Sequence, residues 1–135
     1  MKYNKFVFIL LIYLSTFMNA YSIEPEIFVQ STVNRASKVL SQDLTKEEKI
    51  EKLKIIAEET VDIRGIGFYT LGGARKNLND VDKKKYAKLF KKYFLKSFSS
   101  RLAEYTNPEI DVQNKKILNE NYTIVNSVLK ETNER

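Results

Sequence analysis

The sequence contains no cysteine, no histidine and no tryptophan. Without histidine and cysteine, the chain lacks the commonest general base, a reactive thiol nucleophile and two of the usual zinc ligands. Its carboxylate pairs, such as Glu58 with Glu59, are adjacent in sequence and therefore project in different directions from a helix. We expect a protein that is not an enzyme and that needs no metal or other cofactor.

The chain begins with the features of a secretory signal peptide. Lys2 and Lys5 precede an apolar run at residues 6–14, and small and polar residues follow it. A transmembrane helix needs about 20 apolar residues, so a membrane anchor is the less favoured interpretation. We predict a signal peptide over residues 1–22, cleaved after Ala20 or Ser22, and a single soluble, exported domain over residues 23–135. The absence of cysteine excludes a disulfide and a lipid-modified N-terminal cysteine in that domain.

The excess of positive charge is small. The formal net charge of +6 includes Lys2 and Lys5, so the chain after the predicted cleavage keeps a net charge of +4. Nucleic-acid-binding domains usually concentrate a larger basic excess on one face. We therefore expect no nucleic-acid partner, whereas attraction to an anionic membrane surface fits the same charge.

Helical periodicity and capping signals predict four helices, one of them short. The first begins at Pro25 and ends near Leu40, and the second follows the capping box that Thr45 forms with Glu48. The third is a short apolar helix over residues 62–71 that ends at Gly72 and Gly73. The fourth begins at Asn79 or Asp80 and continues to Tyr105.

Glycine is scarce, and the four residues of this type all fall in and just after the short third helix. Gly65 and Gly67 would each cost about 1 kcal/mol relative to alanine inside a helix. Their presence indicates either close approach of a neighbouring group to the backbone or a partly irregular turn.

The spacing of apolar residues changes after Pro108. Ile110 and Val112 alternate with polar residues, and Tyr122, Ile124 and Val128 share one face of a second run. A turn at residues 119–121 separates the two runs. The sequence therefore predicts an α+β fold in which four helices precede an antiparallel β-hairpin.

The fourth helix carries the most informative pattern. Aromatic and apolar side chains recur at every fourth residue, and lysines occupy the opposite side: the first set is Tyr86, Phe90, Phe94, Phe98 and Leu102, and the second is Lys85, Lys88, Lys92 and Lys96. Tyr105 extends the aromatic face. This pattern fits a helix packed on an ordinary core, and it equally fits one wall of an apolar cavity.

In their order along the chain, these features resemble the periplasmic phospholipid-binding proteins of Mla-type lipid transport systems, also called toluene-tolerance or auxiliary ABC-transport proteins. The resemblance spans residues 23–129. It rests on the signal peptide, the two leading helices and three local patterns: the Leu-Gly exit at Leu71, the Lys-Lys-Tyr-x-x-x-Phe-x-x-x-Phe pattern at residues 84–94, and Leu-Ala-Glu-Tyr at residues 102–105.

The resemblance implies a soluble carrier that holds phospholipid acyl chains between its helices and a curved antiparallel sheet. Its implied partners are phospholipid, a membrane-embedded ABC transporter and outer-membrane lipid transport components. The residues expected to line the lipid pocket are Tyr69, Leu71, Phe94, Phe98, Leu102 and Tyr105, with Val112 and Ile124 facing them from the sheet. Arg101 lies among the aromatic residues of the helix and is the expected contact for a lipid phosphate.

This sequence departs from the family after residue 129, where relatives continue with further strands and a closing helix. We expect a C-terminally truncated domain with an incomplete version of the helices-on-sheet fold. Its open sheet edge would favour association, including association between identical chains. The alternative function is a non-catalytic interaction module, or an inactive remnant, whose apolar face is covered by another subunit.

Overall fold

The computed structural model of the protein describes residues 23–130, so the predicted signal peptide lies outside the described part of the chain. The described residues form four α-helices and one 3₁₀-helix, followed by one β-hairpin. The helices are α1 (Pro25–Leu40), α2 (Lys46–Thr60), α3 (Ile63–Thr70) and α4 (Asp80–Leu102), and the 3₁₀-helix spans Gly72–Asn77 between α3 and α4. The strands are β1 (Glu109–Asn119) and β2 (Tyr122–Lys130). The predicted α+β class, with three longer helices and one short helix before a hairpin, is confirmed.

Side-chain caps fix the starts of α2 and α4 where the sequence predicts them. The backbone N–H of Glu48 donates to Thr45 Oγ1 at 3.2 Å, and the backbone N–H of Thr45 donates to Glu48 Oε2 at 2.9 Å. This is the predicted capping box. At α4, the N-cap is Asn79, whose side-chain oxygen accepts from the backbone N–H of Asp82 at 2.8 Å.

The C-terminus of α4 differs from the prediction. The helix ends at Leu102, three residues before Tyr105, because its last turn tightens into a chain reversal. The backbone N–H of Glu104 donates to the carbonyl of Arg101 at 3.2 Å, and that of Tyr105 donates to the carbonyl of Leu102 at 3.1 Å. These bonds span three residues instead of the four of an α-helix. Tyr105 therefore lies in the turn that leads from α4 to β1.

The core lies where α4 crosses α2 and α3. Ala57 of α2, Ile63 of α3 and Leu95 of α4 are buried together, and Val61, Phe90 and Phe94 pack around them. The close approach predicted from the glycine content occurs at Gly67. A Cβ atom at that position would lie 2.7 Å from Cδ1 of Phe90, so only glycine lets α3 pack this tightly on α4.

The hairpin is a two-stranded antiparallel sheet that is not closed. Ile110 pairs with Leu129 and Val112 with Ser127; after a bulge in β1, Lys115 pairs with Val125. Paired residues share a face of the sheet, and successive residues of a strand alternate between faces. The inner face, which packs against α1, therefore carries Ile110, Val112, Val125, Ser127 and Leu129. Tyr122, Ile124 and Val128 share a face as predicted, but it is the outer one.

Ion pairs link the hairpin to the start of α1. Lys115 of β1 donates hydrogen bonds to the carboxylates of Glu24 and Glu26, at the start of α1; the Nζ–Oε1 distance to Glu26 is 2.9 Å. The hydrogen bond to Glu24 is the main cause of the raised pKa of the Lys115 ammonium group, and the bond to Glu26 adds to this effect. In turn, the hydrogen bond from Lys115 lowers the pKa of the Glu26 carboxyl group.

Candidate functional site: an apolar pocket at the end of α4

An apolar pocket of about 300 Å³ lies where α1, the end of α4 and the inner face of the hairpin meet. Each of these three elements contributes aliphatic or aromatic side chains to it. The lining residues are Ala36, Ser37, Leu40, Leu102, Tyr105, Pro108, Ile110, Ser127 and Leu129. The Ser37 hydroxyl donates to the carbonyl oxygen of Pro108 at 3.3 Å, so its donor is already used and the lining stays mainly apolar.

The local sequence explains how these side chains converge. Ala36 and Leu40 are four residues apart, so they project from the same side of α1. Ile110 and Leu129 are paired across the hairpin and therefore stand next to each other on its inner face. The early end of α4 brings Tyr105 out of the helix and into the turn that borders this space. The pocket is a product of the helix end, the turn and the strand register together.

Leu102 and Tyr105 are the two residues predicted to bind lipid that line this pocket. Phe98 lies one helical turn before Leu102 and is 38% exposed. Its ring stacks on that of Phe94 with a centroid separation of 5.2 Å. Phe94 itself is half-buried and packs on the core. The row of rings on α4 thus runs from the core to Phe98, and Leu102 continues the same apolar face into the pocket.

Val112 lies on the inner face of the hairpin, but it lines a different and more polar space. That surface pocket, of about 620 Å³, lies between α1 and β1 and includes Glu26, Asn34 and Arg35. Val112 is half-buried there. Val112 therefore faces the helices from the hairpin, but it does not border the same pocket as Leu102.

Three residues of the predicted set lie away from the apolar pocket. Ile124 is 46% exposed on the outer face of the hairpin, whereas Val112 lies on the inner face, so the structure does not bring these two predicted residues together. The bulge between Val112 and Lys115 shifts the pairing and leaves these two residues on opposite faces. Tyr69 is 86% exposed, and Leu71 is half-buried just before the 3₁₀-helix that leads to the opposite end of α4.

Arg101 lies beside Leu102 in sequence but points away from the pocket lining. Its side chain is 83% exposed and forms an ion pair with Glu104, with an Nη1–Oε2 distance of 3.8 Å. Such exposed pairs usually contribute less than about 1 kcal/mol to stability. The guanidinium group is therefore free to exchange this partner for another anion.

Sequence periodicity did not identify the other seven lining residues as members of one site, among them Ala36, Leu40, Ile110 and Leu129. The first three stand out as apolar positions of their own elements. Their convergence depends on how the hairpin docks on α1 and on the pairing of Ile110 with Leu129, and neither relation has a local signal in the sequence.

Within residues 23–130, no helix is long and apolar enough to cross a membrane. The same residues contain no cluster of three or more acidic side chains placed to hold a metal ion.

Comparison with known protein families gives a match over most of the chain. The family model described as MlaC protein matches residues 30–135, which is most of the chain. No curated protein and no solved structure gives a significant match. The matched segment includes α4, the hairpin and every residue that lines the apolar pocket. On this evidence the chain belongs to the MlaC family of periplasmic lipid-binding components of Mla transport.

Proposed function

We propose that this protein is a phospholipid carrier of the periplasm that holds an acyl chain in the apolar pocket at the end of α4 and passes lipid between membrane-embedded partners. The observation that carries the proposal is the convergence of Leu40, Leu102, Tyr105, Ile110 and Leu129 around one apolar space. Family membership supplies the class of ligand, and the pocket supplies a place for its hydrocarbon part.

The size of the pocket suits part of an acyl chain. Small-molecule pockets typically range from about 300 to 1,000 Å³, so the observed volume lies at the lower end. Burial of each methylene in an apolar space is worth about 0.8 kcal/mol, which favours a segment of an acyl chain as the occupant.

The remainder of a longer acyl chain would lie along the exposed edge of Phe98, one turn before Leu102. Stacking on Phe94 holds that ring in position, which limits the entropy lost when a chain packs against it. We propose Phe98, Leu102 and Tyr105 as lipid contacts, and Arg101, at the same end of the helix, as the phosphate contact. Tyr69, Leu71, Phe94, Val112 and Ile124 stay predictions from the sequence.

Transfer of lipid to an ABC transporter and to outer-membrane components belongs to the same proposal. A carrier must release its ligand, and a pocket built from three separate elements can open by small shifts of the hairpin against α1. The charges of Lys115, Glu24 and Glu26 hold these two elements together at one end.

The test is the lipid content of the purified protein. Folded protein isolated from a bacterial envelope should contain phospholipid that mass spectrometry detects. The substitution Leu102→Gln should lower this content at least fivefold, because it places an amide in a pocket with few polar partners. The matched control is Leu89→Gln on the same helix, where Leu89 is exposed to solvent. Repeated preparations of folded, lipid-free wild-type protein would contradict the proposal.

A second candidate function is a non-catalytic interaction module, and the outer face of the hairpin supports it. Tyr122, Ile124 and Val128 all project from that face and are exposed. Neither strand has a second neighbour among the described residues, so backbone groups along both edges are free to pair with another chain. Sizing of the purified protein tests this candidate: a lipid-loaded monomer would contradict it, and an oligomer disrupted by Ile124→Lys would support it.

A further inference from the structure

A basic pocket of about 540 Å³ lies at the opposite end of α4 from the apolar pocket. It is formed by α3, the 3₁₀-helix and the first two turns of α4. Four cationic side chains line it: Arg64, Arg75, Lys83 and Lys84. The lining includes one carboxylate, that of Asp80, which pairs with Lys83 at 3.7 Å.

The two arginines are held by one aromatic ring. The guanidinium carbons of Arg64 and Arg75 lie 5.4 Å and 5.3 Å from the centroid of the Phe68 ring. Both distances lie within the range of a cation–π interaction, which restrains the guanidinium groups without neutralising their charge. Arg64 is four residues before Phe68 on α3, whereas Arg75 reaches the ring from the 3₁₀-helix.

The charge of these two groups is not compensated. Residues 23–130 contain four arginines, and two of them, Arg35 and Arg101, form ion pairs with glutamates. The other two are Arg64 and Arg75, and neither takes part in an ion pair with a carboxylate in the described part of the chain. Two restrained, unpaired guanidinium groups beside two lysines therefore give the concave surface a strong positive potential.

We propose that this basic pocket binds a phosphate-bearing group. The planar fork of arginine matches the oxygens of a phosphate, and lysine adds a compact positive charge. Because the two guanidinium groups are already oriented, little side-chain entropy is lost when the anion binds. The chemistry does not depend on whether the phosphate belongs to a lipid headgroup at a membrane surface or to a small soluble phosphate ester.

The pocket is distinct from the proposed acyl-chain site. Lys84 and Leu102 are separated by 18 residues of one helix, which corresponds to about 27 Å along its axis. A lipid held at Leu102 and Tyr105 would therefore not need Arg64 or Arg75. The two proposals can fail separately, since one depends on the apolar lining and the other on charge.

The test uses two phosphate probes, sn-glycerol 3-phosphate in calorimetric titration and phosphatidylglycerol vesicles in co-sedimentation at low ionic strength. Phosphatidylcholine vesicles report the association that needs no net anionic charge. The double variant Arg64→Gln/Arg75→Gln should weaken binding of at least one probe about tenfold, as expected for the loss of two charge-assisted contacts. The matched double variant Lys88→Gln/Lys92→Gln removes the same charge from the exposed side of α4 and should change binding less than twofold.

A third variant separates orientation from charge. Phe68→Leu keeps all four cations and removes the ring that restrains two of them. It should weaken binding of the same probe by a smaller but measurable factor, about threefold. The thermal unfolding of all variants is recorded so that only folded proteins are compared.

The two probes distinguish the sources of phosphate. Binding of vesicles alone identifies a headgroup at a membrane surface, and binding of both probes identifies phosphate esters generally. The proposal is overturned if neither probe binds, if the arginine and lysine double variants weaken binding equally, or if a poly-glutamate peptide binds the pocket as tightly as either probe. The last result would indicate an acidic protein partner instead.

Discussion

Gly67 of α3 lies directly against the ring of Phe90 on α4. A methyl group at position 67 would be 2.7 Å from Cδ1 and 3.0 Å from Cγ of that ring, inside contact distance for both atoms. Gly67 is also buried, so the space has no outlet to solvent. This contact sets the separation of α3 and α4 and thereby the place of Phe90 in the row of rings.

Gly67→Ala should therefore destabilise the fold even though alanine is the better helix former. Overpacking of this kind costs about 1–3 kcal/mol. Alanine regains about 1 kcal/mol in helix propensity, so the net loss of unfolding free energy should be up to about 2 kcal/mol. Urea unfolding of the wild type and the variant measures the difference in unfolding free energy. At Gly73 a methyl group would meet nothing within 4 Å, so Gly73→Ala is the control and should change stability by less than about 0.5 kcal/mol. Equal effects at the two positions would contradict the packing described for Gly67.

The capping box at the start of α2 predicts a second stability effect. Thr45→Ala removes the side-chain acceptor for the backbone N–H of Glu48 and should cost about 1 kcal/mol of unfolding free energy. Glu47→Ala changes an exposed residue of the same first turn that takes no part in the box, and it should cost less than half as much. Chemical denaturation of the wild type and the two variants measures the unfolding free energies that are compared.

The ion pairs that link β1 to the start of α1 predict that stability depends on pH. The pKa of Glu26 is lower in the folded protein than its ordinary value of 4.5, mainly because Lys115 donates a hydrogen bond to it. Its contribution is therefore fully present above the ordinary pKa and is lost as the pH falls through the lowered pKa. The pKa of Lys115 is raised, mainly by its bond to Glu24, so its contribution is present below 10.5 and is lost as the pH rises through the raised pKa.

Lys115→Gln should accordingly reduce stability at neutral pH and flatten the loss of stability in acid. The measurement is the urea midpoint of wild type and variant at neutral pH and below the ordinary pKa of glutamate. Parallel acid profiles for the two proteins would show that Lys115 does not set the pKa of Glu26. Lys116→Gln is a control on the same strand, since Lys116 lies on the opposite face.

Arg101 provides a prediction that separates stability from lipid binding. Because its ion pair with Glu104 is exposed, Arg101→Gln should change the unfolding free energy by less than about 1 kcal/mol. If the guanidinium group contacts a lipid phosphate, the same change should lower retention of phospholipid while leaving retention of a fatty acid unaltered. Native mass spectrometry after loading with each lipid reads out both quantities. Equal retention of phospholipid by wild type and variant would remove Arg101 from the site.

The sequence predicts the elements of this fold better than their arrangement. Helix starts at Thr45 and Asn79 and the turn before Tyr122 are set by neighbouring residues, so local patterns identify them. The end of α4 at Leu102 depends on a tightened last turn, for which helical periodicity gives no signal. The separation of Val112 from Ile124 depends on a bulge, and one inserted residue reverses which face a side chain occupies.

In the candidate site, too, local patterns identify single residues but do not show which residues of different elements come together. Leu102 and Tyr105 can be predicted as lining residues because they continue the apolar, aromatic face of α4 to the end of the helix and into the turn after it. Their partners Leu40, Ile110 and Leu129 come from two other elements, and only the docking of the hairpin on α1 brings them together. Tyr69 fits the helical pattern of α3 equally well, but its side of the helix faces solvent.

Whether lipid occupies the apolar pocket is tested most directly by photo-crosslinking of bound lipid from two tyrosine positions, one on α4 and one in the turn that follows it. p-Benzoylphenylalanine, which resembles tyrosine in shape, replaces Tyr105 in one variant and Tyr93 in the other. Tyr105 lines the apolar pocket, whereas Tyr93 is 69% exposed on α4 and borders no pocket described above. Irradiation of the purified proteins should attach phospholipid at position 105 and not at position 93. Crosslinking at position 93 alone, or equal crosslinking at both positions, would contradict it.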